Sequence, residues 1–211
     1  MGEYDPREPV SSWLPDARYL PLLAQAAQGA ERENWHTWLQ LGAALLTQGR
    51  FADARDALAR ADSLARCAWV KYACSCLHLM QHEPERAAVY ARQAAEAAPE
   101  DAFVLKFALR VLLEARQYGE ALRLIAAAPP ELQRLPRVRL SEAQALVGLE
   151  RLEEAEAILL QDGGLIVPDI REGEQTMSEV WLALQQKKYG LGREAAEKIA
   201  PVPYRMDFRM N

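Results

Sequence analysis

FADARDAL (51–58), PERAAVYA (84–91), YGEALRLI (118–125) and LEEAEAIL (152–159) share one frame. In each the fourth residue is alanine: Ala54, Ala87, Ala121 and Ala155, at intervals of 33, 34 and 34 residues. An aromatic residue, proline or leucine stands three places before it: Phe51, Pro84, Tyr118 and Leu152. A fixed period near 34 marks a solenoid of helical hairpins. In such an array each unit contacts its neighbours, so a stack of units makes an extended surface. The function class that follows is holding something rather than transforming it.

Composition agrees with the period. Of 211 residues, half are hydrophobic and 26% are charged, with alanine, leucine, glutamate and arginine dominant. These are strong helix formers. The net charge of −5 carries no basic stripe of the kind a nucleic-acid footprint needs. No apolar run approaches the roughly 20 residues that span a bilayer. Cys67, Cys74 and Cys76 are odd in number and clustered, which fits free thiols in a reducing, cytoplasmic setting.

Outward from the repeats, the chain divides into 1–33, 34–162 and 163–211, forming one continuous domain. Pro6, Pro9 and Pro15 keep the first fifteen or so residues extended. Asp16 caps a helix ending at Gly29, with Leu20, Leu23, Ala24 and Ala27 on its apolar side. Four hairpins follow: 34–48 with 52–65, 68–81 with 85–97, 102–115 with 119–128, and 137–148 with 153–160. Pro84 suits a helix start, and Pro99 and Pro129-Pro130 are stops. Beyond Ala155 the period breaks. GGLIVPDIREGEQ (163–175) reads as irregular. Thr176 and Glu179 have capping-box spacing before a helix to about Lys188, and a short helix covers 192–199. In PVPYRMDFRMN (201–211), Tyr204, Met206, Phe208 and Met210 alternate with polar residues. That pattern predicts an extended tail with one face docked on the stack.

The first hairpin resembles a tetratricopeptide repeat. Trp38, Leu41, Gly42 and Leu45 on one helix, with Ala54, Leu58 and Ala61 on the next, match that family's pattern. Small residues at Gly42 and Ala54 let the two helices approach, and the large ones fill the space around them. The small first-helix position becomes Ser75, Leu109 and Ala143 later on. The closing alanine persists as Ala94 and Ala128 and becomes Asp162 in the fourth repeat. The resemblance covers about 34–162. It implies an all-α, right-handed solenoid of about four hairpins, an N-terminal capping helix and an irregular C-terminal cap. VPDIREGE (167–174) and MDFRM (206–210) resemble the end of large bacterial proteins that carry a β-sandwich domain ahead of such repeats. That domain is similar to the sugar mutarotase superfamily. The second resemblance implies the alternative of an accessory region in a larger carbohydrate-associated protein.

The family's ligand-facing positions fall on Trp69, Tyr72 and Phe103, on Lys106 and Arg110, and on Arg137. An aromatic and basic wall of this kind suits a protein or peptide partner that is acidic or carboxylate-bearing. The Lys and Asn that open the family's carboxylate clamp are replaced by Leu39 and Ala43, so that clamp is absent. Cys74, His78 and His82 stand at i, i+4 and i+8. Cys74 and His78, however, take large-residue positions that face the hairpin partner. A small thiol and a hydrogen-bonded histidine explain them without a metal, and four zinc ligands are not evident. No phosphate loop, nucleophile elbow or metalloprotease motif occurs, so neither catalysis nor a cofactor is expected. Trp13, Trp35 and Trp38 read as core or cap packing. The resulting expectation is a non-catalytic scaffold or adaptor, with self-association through an end of the stack as a further option.

Overall fold

The computed structural model describes residues 5–10, 12–29, 34–168 and 176–207. Most of VPDIREGE, together with Phe208 and Met210 of the tail, lies outside these residues. The chain divides into two compact units, Met1–Val111 and Leu112–Asn211. Among the described residues both are all-helical, without strands.

In the first unit Asp16 accepts a hydrogen bond from the Arg18 amide and starts a 3-10 turn, Ala17–Tyr19. This runs into α1 (Leu20–Gln28), which ends at Gly29. Leu23 and Ala27 are the buried positions of α1, which packs on α2 (Trp35–Thr47). α2 pairs with α3 (Phe51–Leu64), and α4 (Ala68–Met80) pairs with α5 (Pro84–Ala97). α2 also touches α4, so the first helices of consecutive hairpins lie side by side. Asp101 opens α6 (Ala102–Glu114) by accepting from the amides of Phe103 and Val104.

The second unit holds α7 (Tyr118–Ala127), α8 (Pro130–Gln133), α9 (Pro136–Gly148), α10 (Leu152–Leu159), α11 (Met177–Tyr189) and α12 (Arg193–Ile199). Pro129 and Pro130 end α7 as expected. Pro130 then starts the one-turn α8, because a proline at the first helical position loses no bond. Thr176 and Glu179 form the expected capping box: the Thr176 amide donates to Glu179 Oε2 at 2.7 Å, and the Glu179 amide donates to Thr176 Oγ1 at 3.3 Å.

The ladder alanines explain the hairpins. Ala54, Ala87, Ala121 and Ala155 are each the fourth residue of a second helix, and each is fully buried. A Cβ built on Gly42 would stand 2.7 Å from Leu58, itself 1% exposed, so that contact admits only glycine. Ser75 takes the same place in the second hairpin. Its burial costs no hydrogen bond, because its hydroxyl donates to the Ala87 carbonyl at 2.9 Å.

The turns repeat as regularly as the alanines. Gly49, His82, Arg116 and Glu150 all have positive φ, between 55° and 71°. One residue later, the amides of Arg50, Glu83, Gln117 and Arg151 donate to the carbonyls of Leu45, His78, Leu112 and Leu146 at 2.8–3.0 Å. This six-to-one bond around a left-handed residue is a Schellman motif, and it reverses the chain after each first helix.

The same motif recurs past the point where the sequence period ends. Gly190 has φ +65°, and the Leu191 amide donates to the Gln186 carbonyl. α11 and α12 then pack as a pair, with Ala196, the fourth residue of α12, fully buried. The two helices expected at about 176–188 and 192–199 are therefore present, and they form a helix pair of the repeats' own construction. Additional residues before α11 and one in the turn hide it from the 34-residue register. Among its described residues, the tail beyond it is not an alternating strand. Pro203 leads into a 3-10 turn, Tyr204–Met206, that turns Tyr204 outward (94% exposed) and Met206 into the core. Val202 and Met206 lie in one cluster with Leu146, Leu159, Met177 and Trp181. The Trp181 indole donates to the Ala200 carbonyl at 3.1 Å. Docking of the tail is thus seen through Asp207, by a geometry different from the one expected.

Candidate peptide-binding face

Helical spacing sets the face of the first unit. On α2 the residues at i, i+4 and i+11 are His36, Gln40 and Thr47. On α4 the residues at i, i+3 and i+7 are Trp69, Tyr72 and Cys76, and on α6 those at i, i+3, i+4 and i+7 are Phe103, Lys106, Phe107 and Arg110. The aromatic rings form a continuous cluster. Tyr72 lies 4.5 Å from Phe107 and 5.6 Å from Phe103, and Trp69 stacks on Phe103 at 6.2 Å. Such tilted and offset pairs are the favourable geometries for ring quadrupoles.

Burial grades across the cluster. Trp69 is 7% exposed and serves as its floor, whereas Phe103 is 47% exposed and forms its accessible edge. Arg110 is exposed, with its guanidinium 5.4 Å from the Phe107 ring centre, a cation–π contact. Lys106, half-buried, stands one helical turn before it. Burial pushes the Tyr72 hydroxyl up to about 12, aided by Cys76, while Arg110 pulls the other way. The phenol therefore stays neutral and acts as donor or acceptor at every physiological pH. Burial also raises the Cys76 thiol.

Of the wall residues expected from the sequence, the structure gathers Trp69, Tyr72, Phe103, Lys106 and Arg110 in the first unit. Arg137 is half-buried on α9 of the second unit. The sequence missed Phe107, which is central to the ring cluster, and Gln40. It also placed Trp13 with the core tryptophans, whereas Trp13 packs on Tyr72 at 6.1 Å. The segment that carries Trp13 lies along α2. The Leu14 amide donates to Gln40 Oε1 at 2.9 Å, and Gln40 Nε2 donates to the Ser12 carbonyl at 2.7 Å. Thr47 Oγ1 lies 2.7 Å from the Pro15 carbonyl and 2.8 Å from that of Ala44, sharing its proton between them.

The cysteine–histidine cluster has a structural explanation. His78 Nδ1 lies 2.7 Å from Glu83 Oε2; the carboxylate can only accept, so the imidazole donates. The ring stacks on Tyr90 at 5.3 Å. The hydrogen bond from His78 holds the Glu83 carboxyl below its ordinary value, with help from Arg86. Cys74 is buried, and desolvation pushes its thiol up to about 12. Lys71 reaches Asp62 at 2.8 Å and lies 5.8 Å from the Tyr90 ring centre. Among the described residues no group of three or more His, Cys, Asp and Glu side chains is placed to hold a metal ion.

The second unit has an open cavity of about 520 Å³ lined by Arg134, Arg139 and Arg205 with Asp162 and Gln161. Two of its three guanidiniums are already engaged: Arg139 pairs with Glu142, and Arg205 donates to the Asp162 carbonyl.

The class these features define is an all-α protein of packed helical hairpins with an aromatic and cationic face. No helix among the described residues is long and apolar enough to cross a membrane. No protein-family model matches the chain, and no curated protein matches it.

Proposed function

We propose that this chain is a non-catalytic scaffold of tetratricopeptide-like hairpins, and that the face built by α2, α4 and α6 binds a peptide segment. The proposed array is a right-handed solenoid in which this face is the inner wall. The four fully buried ladder alanines and the recurrent Schellman turns support that reading. The observation that carries the function is the ring cluster of Trp69, Tyr72, Phe103 and Phe107 with Arg110 at its border. Aromatic anchors beside an arginine are the usual composition of a binding hot spot. The cation favours a partner with a carboxylate near its apolar anchor.

Selection from a displayed peptide library tests this on the whole chain. The wild type is expected to enrich sequences with an aromatic residue next to Asp or Glu. Lys106→Glu combined with Arg110→Glu, with helicity preserved, is expected to lose that enrichment. Recovery of the same sequences by the double variant would remove the face as the site.

A further inference from the structure

We propose that the chain carries its own occupant for this site: Ser12–Pro15 fills the aromatic subsite in cis, and a partner of like chemistry must displace it. The inference rests on the peptide-binding reading above and adds both the form of the ligand and the regulation of the site. The partner is an extended segment with one aromatic anchor and a nearby carboxylate.

The contacts of Ser12–Pro15 are those of a docked peptide. The segment is non-helical, and Pro15 biases Leu14 towards extended backbone. Its hydrogen-bonding partners on α2 lie 26, 28 and 32 residues away, so local folding does not place it. Gln40 is 2% exposed, and its carboxamide uses both ends on main-chain groups. It accepts from Leu14 and donates to Ser12, the two peptide groups that flank Trp13. A neighbouring parallel strand would satisfy the same two groups, so Gln40 stands in for a strand. Main-chain bonds of this kind give affinity without sequence preference, while side-chain pockets supply the specificity.

One side chain provides that specificity. Trp13 packs on Tyr72 yet stays half-buried, as an anchor laid on a surface rather than a core residue. None of these contacts requires the segment to come from the same chain. They require an extended backbone and an aromatic ring at the place of Trp13. Ser12–Pro15 brings no carboxylate to Arg110, whose charge acts on both Tyr72 and Cys76. A segment that carries one gains an interaction the resident lacks. Short tethering gives the resident an effective concentration of about 1 mM. Against an intrinsic Kd of about 0.1 mM, that suppresses binding of an equivalent free peptide roughly tenfold.

The probe is the fluorescein-labelled, C-terminally amidated pentapeptide SSWLP, residues 11–15 of this sequence. It is titrated into the full chain, into Trp13→Ala, and into Trp13→Ala combined with Gln40→Glu. The last substitution keeps the shape of Gln40 but removes the donor to the Ser12 carbonyl. Trp13→Ala is expected to bind the probe about tenfold more tightly than wild type, and addition of Gln40→Glu is expected to abolish that gain. Hydrogen exchange at the Leu14 amide reads the resident directly. It should be slow in wild type and fast in Trp13→Ala, and saturating probe should make it fast in wild type as well. Equal affinity for wild type and Trp13→Ala overturns cis occupancy, and so does a Leu14 amide that exchanges freely in wild type. Either result leaves the peptide-selection outcome at Lys106 and Arg110 standing, so the two readings fail separately.

Discussion

Cys74 and Tyr72 show how single side chains report their surroundings. Both are raised to about 12, from ordinary values of 9.0 and 10.0, chiefly by burial. A raised acid binds protons more strongly when folded, so its contribution to stability is complete below the unfolded pKa. It falls away as pH rises through the folded value. Stability is therefore expected to decline above about pH 9, with Tyr72 adding to the slope above about pH 10. Urea midpoints measured from pH 7 to 11 test this, and Cys74→Ala should flatten the first part of the decline. At pH 8 the Cys74 thiol should resist iodoacetamide until the protein is unfolded. The sequence led us to expect Cys74 on the inner side of its hairpin, and the structure buries it. The sequence could not show Asp62, a further contributor to the raised thiol, because Asp62 comes from the preceding hairpin.

At the scale of elements, hairpin construction was legible almost throughout. Helix boundaries follow from capping residues, prolines and a 3.6-residue apolar spacing, all of which are local. The turns were placed by the helix bounds, but their left-handed residue was marked by glycine only at Gly49. His82, Arg116 and Glu150 hold the same left-handed conformation without glycine, forced into it by the Schellman bonds on either side. A non-glycine residue there carries a cost of roughly 1 kcal/mol. Arg116→Gly is therefore expected to stabilise the protein by about 1 kcal/mol, or about 3 °C for a chain of this size. Differential scanning calorimetry decides it; a lower melting temperature would show that the turn relieves the strain in another way. The α11–α12 pair uses Gly190 and Ala196 in the same manner. Its two helices were legible from the capping box and apolar spacing, but their kinship with the repeats was not, because a period cannot be followed across an insertion.

For the molecule as a whole, non-local burial decides how the chain is finished. Met206 is fully buried in a cluster with residues of α9, α10 and α11, although it follows Pro201 and Pro203 near the end of the sequence. Truncation to alanine leaves a cavity that these helices close only partly. Met206→Ala should therefore cost about 2–4 kcal/mol. Urea unfolding, together with faster amide exchange in α9 and α11, tests it. A loss below about 1 kcal/mol would mean that the tail rests on the core without completing it.

The sequence by itself determined the all-α class, the hairpins and the ladder alanines. Each of these is written in spacings of three, four or 34 residues that need no knowledge of distant partners. Only the tertiary structure decided that Gln40 clasps Ser12–Pro15, that Trp13 lies on Tyr72, and that Met206 rather than Tyr204 turns inward. Those contacts join residues 26 to 59 positions apart in the first unit and close a core across helices in the second. They are selected by the apolar area and hydrogen bonds they bring together, and no local pattern records that choice.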